Sequence, residues 1–222
     1  MKKLIHCLLI GLIGCASFAK ASLDIKIQDC RNGHLEYLGE LKILKDGKIF
    51  KTLKPEHDSE QKLTGLDLGV YKLVYRSIFE QQVTQEVKIT EEREYNVSLC
   101  VNFVDYKKEA YKPIINQLKS GESYEVEMLS RGCFHATEES FKITKDAKGF
   151  IVKWGNDSKR LTENDIKAIQ RFEIELSLKK GFGCTTVDTY TVTFQGKKQE
   201  SRDGSCNWDG FIFLHEQLFG KK

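Results

Sequence analysis

Five cysteines, Cys30, Cys100, Cys133, Cys184 and Cys206, follow an N-terminal stretch that reads as an export leader, and this pairing constrains the chain more than any other feature. Lys2 and Lys3 precede a short apolar run beginning at Leu4, and Ala19-Lys20-Ala21 offers small residues for cleavage before Ser22. The run is too short to span a bilayer, so residues 1-21 are expected to be a signal peptide. In the alternative, Leu12-Ile13-Gly14-Cys15 is a lipobox and Cys15 carries lipid, which would be the chain's single tie to a membrane. Either way the protein is expected outside the cytoplasm (periplasm, cell surface or medium, with an outer-membrane lipoprotein as the alternative), where disulfides persist.

Charge narrows the partners. The chain has 35 Lys and Arg against 32 Asp and Glu, and removing Lys2, Lys3 and Lys20 leaves the two signs level. A neutral chain has no electrostatic footprint for nucleic acid. About 200 remaining residues are enough for one large or two small domains.

Residues 22-103 read as strands. Leu23, Ile25 and Ile27 alternate, and Asp46-Gly47 between two alternating runs is a two-residue hairpin turn. Further strands lie around Gly65–Phe79, Val83–Ile89 and Tyr95–Phe103. Many short strands without helical period predict a β-sandwich. Residues 104-121 form a connector in which Pro113 opens a short helix bearing Ile114, Ile115 and Leu118, ended by Gly121.

Residues 122-222 read as α+β: a small antiparallel sheet covered by one long helix, with a short C-terminal helix. The strand around Tyr124, Val126 and Met128 alternates, and Ser140–Trp154 is a hairpin. The long helix begins at the cap Thr162, with Leu161 and Ile166 as a hydrophobic staple. Ile166, Ile169, Phe172 and Leu176 form its apolar stripe, Lys179 and Lys180 complement its dipole, and Gly181 closes it. A further hairpin turns near Gly196-Lys197. The last helix starts at Asp209 and buries Phe211, Leu214 and Leu218.

Two resemblances accompany this reading. "LDLGVYKLVY", Leu66 to Tyr75, resembles a motif of prealbumin-like (carboxypeptidase regulatory-like) sandwiches, although the Thr-Asp-x-x-Gly element often found before it is absent. Membership would imply a non-catalytic accessory module. The second half, through "GCF" (132–134), "LTENDI" (161–166), "CTTVDTY" (184–190) and "DGSCNWDGF" (203–211), resembles a domain of unknown function in secreted Bacteroidota-type proteins. That resemblance implies an architecture and an extracytoplasmic setting, and no activity.

The cysteines suggest their own pairing. Cys30 follows the first strand and Cys100 lies in the last strand of the sandwich, both on the parity opposite to their apolar neighbours. Hairpin arithmetic from Gly196-Lys197 brings Cys184 and Cys206 to within about three residues of register, close enough for a small adjustment to bond them. Cys133 is then left over. It is expected to be a buried or shielded thiol, or to replace Cys184 as the partner of Cys206. Two sharper readings stand beside this. One is a metal site from Cys133, His135, Cys184, Cys206 and His215, though no Cys-x-x-Cys knuckle is present. The other is a nucleophile pair, Cys133 and His135, oriented by Asp188. Asp188 shares parity with the inward Tyr190 and is expected to sit in the loop before the strand becomes regular at Thr189. His34 and His57 are expected in solvent.

No hydrolase elbow, phosphate-binding loop, dinucleotide fingerprint or His-Glu-x-x-His helix occurs in the sequence. The expectation is therefore an exported, non-catalytic binding or envelope-associated protein without cofactor or metal, whose partner is a protein or a glycan. Its candidate contact surface is the Cys133–His135 loop beside Trp208, which is either an aromatic anchor there or, the favoured reading, packed under the last helix. A small exported enzyme or metal protein using Cys133, His135 and Asp188 is the alternative.

Overall fold

The computed structural model describes residues 20–55, 57–181 and 183–220. The leader cysteines Cys7 and Cys15, and with them the choice between cleavage and lipidation, lie outside the described residues. Ala21 is within them, buried at the start of the first strand and paired with Leu66. Among the described residues no helix is long and apolar enough to cross a membrane. The protein is β-rich and divides into two compact units.

The first unit comprises the described residues up to Gln28 together with Gly33–Tyr75 and Thr84–Leu99. Its strands are β1 (Ala21–Gln28), β2 (Leu41–Lys45), β3 (Lys48–Leu53), β4 (Glu60–Leu66), β5 (Gly69–Arg76), β6 (Gln82–Ile89) and β7 (Glu94–Cys100). They form a three-stranded sheet, β4-β1-β7, and a four-stranded sheet, β3-β2-β5-β6. The alternation read from the sequence is the burial pattern observed: Leu23, Ile25 and Ile27 from one sheet and Leu41, Ile43, Tyr71 and Leu73 from the other are all buried. Asp46 and Gly47 both take positive φ, 52° and 77°, as the two-residue hairpin turn requires. Within "LDLGVYKLVY", Tyr71 reaches back to donate its hydroxyl to the Asp67 carbonyl (3.0 Å), which pins the turn before β5.

The second unit comprises Asp29–Asn32, Arg76–Val83 and the chain from Cys100 onward. A six-stranded antiparallel sheet runs β11-β10-β9-β8-β12-β13. Its strands are β8 (Ser123–Arg131), β9 (Ala136–Asp146), β10 (Gly149–Trp154), β11 (Asp157–Arg160), β12 (Val187–Phe194) and β13 (Lys197–Asp203). The short edge strand β11 was not foreseen. Its sequence, Asp-Ser-Lys-Arg, has no apolar alternation, and it exists because β10 supplies a partner. One face of the sheet buries Tyr124, Val126, Phe141, Ile143, Val152 and Tyr190 beneath helix α1 (Glu163–Leu178) and helix α2 (Gly210–Phe219).

Helix α1 starts as expected. The Thr162 side chain accepts from the Asp165 amide while the Asp165 carboxylate accepts from the Thr162 amide, a reciprocal cap. The helix ends at Leu178 rather than running to Gly181, because Lys179 leaves the helical region at ψ 125° and turns its side chain inward. The connector forms only one 3-10 turn, Ile114–Gln117. Its first two amides point at the buried Glu173 carboxylate of α1, which also accepts from the Tyr124 hydroxyl (2.5 Å). No cation stands among these three donors, and burial pushes Glu173 up to about 7.

Both disulfides form as expected, Cys30–Cys100 and Cys184–Cys206. The second owes its registration to a correction. The β12–β13 turn is Gln195-Gly196, both at positive φ, and Phe194 pairs with Lys197. This turn is one residue earlier than the sequence suggested, and continuing its register sets Cys184 and Cys206 almost opposite one another.

Candidate binding site

The loop that joins β8 to β9 is the four residues Gly132–His135, closed by the last pair Arg131–Ala136. The Gly132 amide donates to the His135 carbonyl (3.0 Å), and the His135 Nε2 lies 3.3 Å from the Ser130 hydroxyl. The imidazole folds over the Gly132 backbone, and Thr186 approaches from β12's leading loop. A Cβ at position 132 would meet both side chains, so a larger residue here would displace the imidazole from its place over the loop. Thr186 is in turn held beside the Cys184–Cys206 bridge, where the Cys206 sulfur lies 4.0 Å from its carbonyl.

This tip presents Cys133, Phe134 and His135 to solvent. Phe134 is wholly exposed, at 101%. Val187, paired with Arg131 at the base of the tip, is a second exposed apolar side chain. Cys133 is free and exposed, which corrects the expectation of a shielded thiol. A four-residue loop at a strand end has no element above it to cover a side chain.

The proposed Cys133–His135–Asp188 constellation does not assemble. His135 is bonded to Ser130 and no hydrogen bond joins it to Cys133. Asp188 is not in a loop: β12 is regular from Val187, and Asp188 lies opposite Ser130 on one side and Asp203 on the other. Its Oδ1 is buried without a partner. The nearby Arg202 holds Glu200 at 2.9 Å instead. The Asp188 charge helps to raise the Tyr190 phenol, whose shift is dominated by burial.

The metal set fails on its chemistry. Cys184 and Cys206 are consumed by their disulfide, and His215 packs edge-on against Trp154 at 5.0 Å between centroids. Among the described residues no group of three or more His, Cys, Asp or Glu side chains could hold a metal ion. His34 and His57 are exposed.

Trp208 is not a surface anchor. It is 2% exposed and stacks on Phe172 at 5.7 Å, and its indole N–H donates to the Glu175 carboxylate (2.7 Å). Glu175 also accepts from the Tyr106 hydroxyl (2.6 Å) and from Arg31 (3.1 Å). Arg31 is held in turn by Asp29 (2.7 Å) and caps the Phe213 ring at 4.7 Å. This part-buried Arg31–Glu175 pair spans 144 positions and could not be read from local pattern.

A second polar group lies behind the disulfide loop. The Lys179 ammonium, 1% exposed as a side chain, reaches the Ser205 hydroxyl (2.9 Å), the Asn207 carbonyl (3.0 Å) and the Asp203 carboxylate (3.4 Å). The sequence signal available for it was the Asp203-Gly204-Ser205 turn and a lysine just past a helix end. Sequence pattern alone gives Lys179 as a complement to the helix dipole, whereas its side chain turns into this group.

No protein-family model matches the chain, and no curated protein matches it. Solved structures give remote likenesses. The Bacillus anthracis TIE protein is 11% identical at a TM-score of 0.37, over 83% of this chain and 31% of its own. A Streptococcal ancillary pilin is 11% identical at 0.32, over 85% of this chain and 60% of its own. A DUF3823 family protein from Bacteroides uniformis is 7% identical at 0.25, over 83% of this chain and 97% of its own. The chain thus spans less than two thirds of the first two. At these scores the likenesses carry no assignment of activity or partner.

Proposed function

We propose that the protein is an exported, disulfide-braced binding module whose Gly132–His135 tip engages a protein partner. The observation that carries this reading is Phe134, a large apolar side chain held entirely in water on a loop fixed by hydrogen bonds and close packing. A rigid exposed aromatic gains the most apolar burial on association for the least ordering cost. Val187 adds apolar surface, while His135 and Ser130 supply polar groups beside it. The two disulfides support export, since such bridges persist in oxidising compartments. The reading is non-catalytic: the residues considered for nucleophilic chemistry are engaged elsewhere or lie apart.

Cys133 makes the test direct, because its thiol is a natural attachment point one residue from Phe134. The full chain, carrying a photoactivatable maleimide at Cys133, is illuminated in the envelope fraction of its native host. The reading predicts one discrete protein adduct that disappears with Phe134→Ala and is absent when the probe is placed at Ser158 of β11 in a Cys133→Ser background. An adduct of glycan mass would replace the protein partner by a sugar. Adducts indifferent to Phe134 would contradict the role of the tip.

A further inference from the structure

We infer that Lys179 and Asn207 are joined, in the mature protein, by an intramolecular amide bond formed with release of ammonia. The geometry brings together the parts such a reaction needs. The nucleophile is the Lys179 amine, buried and 3.0 Å from the Asn207 side-chain carbonyl oxygen. The proton carrier is Asp203, itself buried, with its carboxylate 3.4 Å from the same nitrogen. The Ser205 hydroxyl lies 2.5 Å from the Asp203 carboxylate, 2.6 Å from the Asn207 oxygen and 2.9 Å from the lysine, so its one proton polarises the electrophile once Asp203 is itself protonated. Phe79 and Trp208 flank the nitrogen at 5.7 and 5.9 Å from their ring centroids.

The surroundings favour the neutral amine that attack requires. Burial lowers the Lys179 ammonium below the usual lysine range, although the neighbouring Asp203 carboxylate pulls the other way. Lys179 and Asp203 are themselves removed from water, and an ammonium and a carboxylate in contact there exchange their proton readily, because neutralising both removes two desolvation penalties at once.

The step balances without any outside reagent. Asp203 takes one proton from the Lys179 ammonium. The freed lone pair adds to the Asn207 side-chain carbonyl carbon, and the developing oxyanion accepts the Ser205 hydroxyl. The proton held by Asp203 passes to the Asn207 amide nitrogen, and the second proton leaving the lysine nitrogen follows it. The bond from carbon to that nitrogen breaks, and ammonia departs with its proton. What remains is a lysine–asparagine amide, Asp203 as carboxylate and Ser205 as hydroxyl.

The local fold holds these groups in register. Lys179 is fixed by the end of α1, Asp203 by β13 and its bridge to Gly181, and Ser205 by the hydrogen bond its backbone N–H donates to the Asp203 carboxylate. The Cys184–Cys206 disulfide pins Asn207's loop next to the segment carrying Lys179, and the Cys184 amide donates to the Gly204 carbonyl (2.9 Å). The new bond would lie beside this disulfide and outlast its reduction.

The test is mass spectrometry of the full chain after reduction and alkylation. The inference predicts a mass lower by one ammonia than the sequence requires. It also predicts a branched peptide that still joins Lys179 to Asn207 once Cys184 and Cys206 are separated. Lys179→Arg and Asn207→Ala should each restore the full mass and abolish the branch. The Asn207 variant changes an exposed residue, so it serves even where the buried lysine variant fails to fold. A full-mass wild-type chain with the two residues on separate peptides would overturn the inference. So would a mass deficit that persists in Lys179→Arg, which would mark cyclisation of an asparagine on its own backbone.

Discussion

The exposed β8–β9 tip and the buried polar network around the C-terminal half of α1 belong to the same unit and spend their chemistry in opposite ways. At the tip, Cys133, Phe134 and His135 face water, and the backbone beneath them is held by Gly132, Ser130 and Thr186. In the network, Glu175, Lys179 and Asp203 are removed from water and each has named partners. Groups of the first kind are available to other molecules and contribute little to folding. Groups of the second kind are committed to the fold, and losing one partner strands another. Residue type alone does not separate the two: Cys133 with His135 is compatible with catalysis and Trp208 with either contact or packing, and burial assigns their roles.

This difference sets an order of expected effects. The largest is at Glu175. Glu175→Ala leaves the Trp208 indole, the Tyr106 hydroxyl and part of the Arg31 guanidinium without an acceptor, and should lower stability by about 4 kcal/mol in urea denaturation. A loss as small as that of a surface variant would break the distinction drawn between network and tip.

The next effect is a pH dependence from Glu173, two positions away and paired with no cation among the described residues. Its folded value of about 7 lies above that of an exposed glutamate, so the native state binds the proton more tightly than the unfolded chain. Stability from this group is present below the unfolded value and is lost as pH rises through the folded one. Between pH 5 and pH 8 the wild type should lose roughly 3 kcal/mol from this source, and Glu173→Gln should remove that slope. Tm measured across this range for both proteins checks the sign. A stability that rises with pH only in the wild type would contradict it.

Opening the Cys184–Cys206 bridge, which closes 22 positions of chain, should lower stability by about 3 kcal/mol in the chain-entropy estimate. The covalent Lys179–Asn207 link sharpens this expectation, because a chain still closed there would lose less. Comparing Cys184→Ser/Cys206→Ser with and without Asn207→Ala separates the two contributions. The smallest effect belongs to the tip: Phe134→Ala and Cys133→Ser should each change stability by under about 0.5 kcal/mol in the same denaturation assay.

Much of the architecture was legible because it rests on short-range pattern. Alternation gave the strands around Leu23, Ile43, Tyr71 and Tyr124, the Asp46-Gly47 pair gave its hairpin, and Thr162 gave the start of α1. The disulfides followed from strand order and approximate register. The edge strand β11 was missed because its residues carry no apolar signal, and the β12–β13 turn was placed one residue late because glycine sits second in that turn. The candidate site was only half legible. The Cys133–His135 loop could be singled out, but its exposure could not, since that depends on nothing packing above it. The Arg31–Glu175 and Lys179–Asp203 pairs join distant segments and become visible only when the sheet and helix bring them together.

The most direct check on this account is thiol accounting in the native protein. Among the five cysteines of the described residues, the folded chain should take up an alkylating label at Cys133 alone, with Cys30–Cys100 and Cys184–Cys206 intact by peptide mapping, and reduction under denaturing conditions should expose the other four. A Cys133 that reacts only after unfolding, or a second of these five reactive in the native state, would contradict an open tip framed by two disulfides.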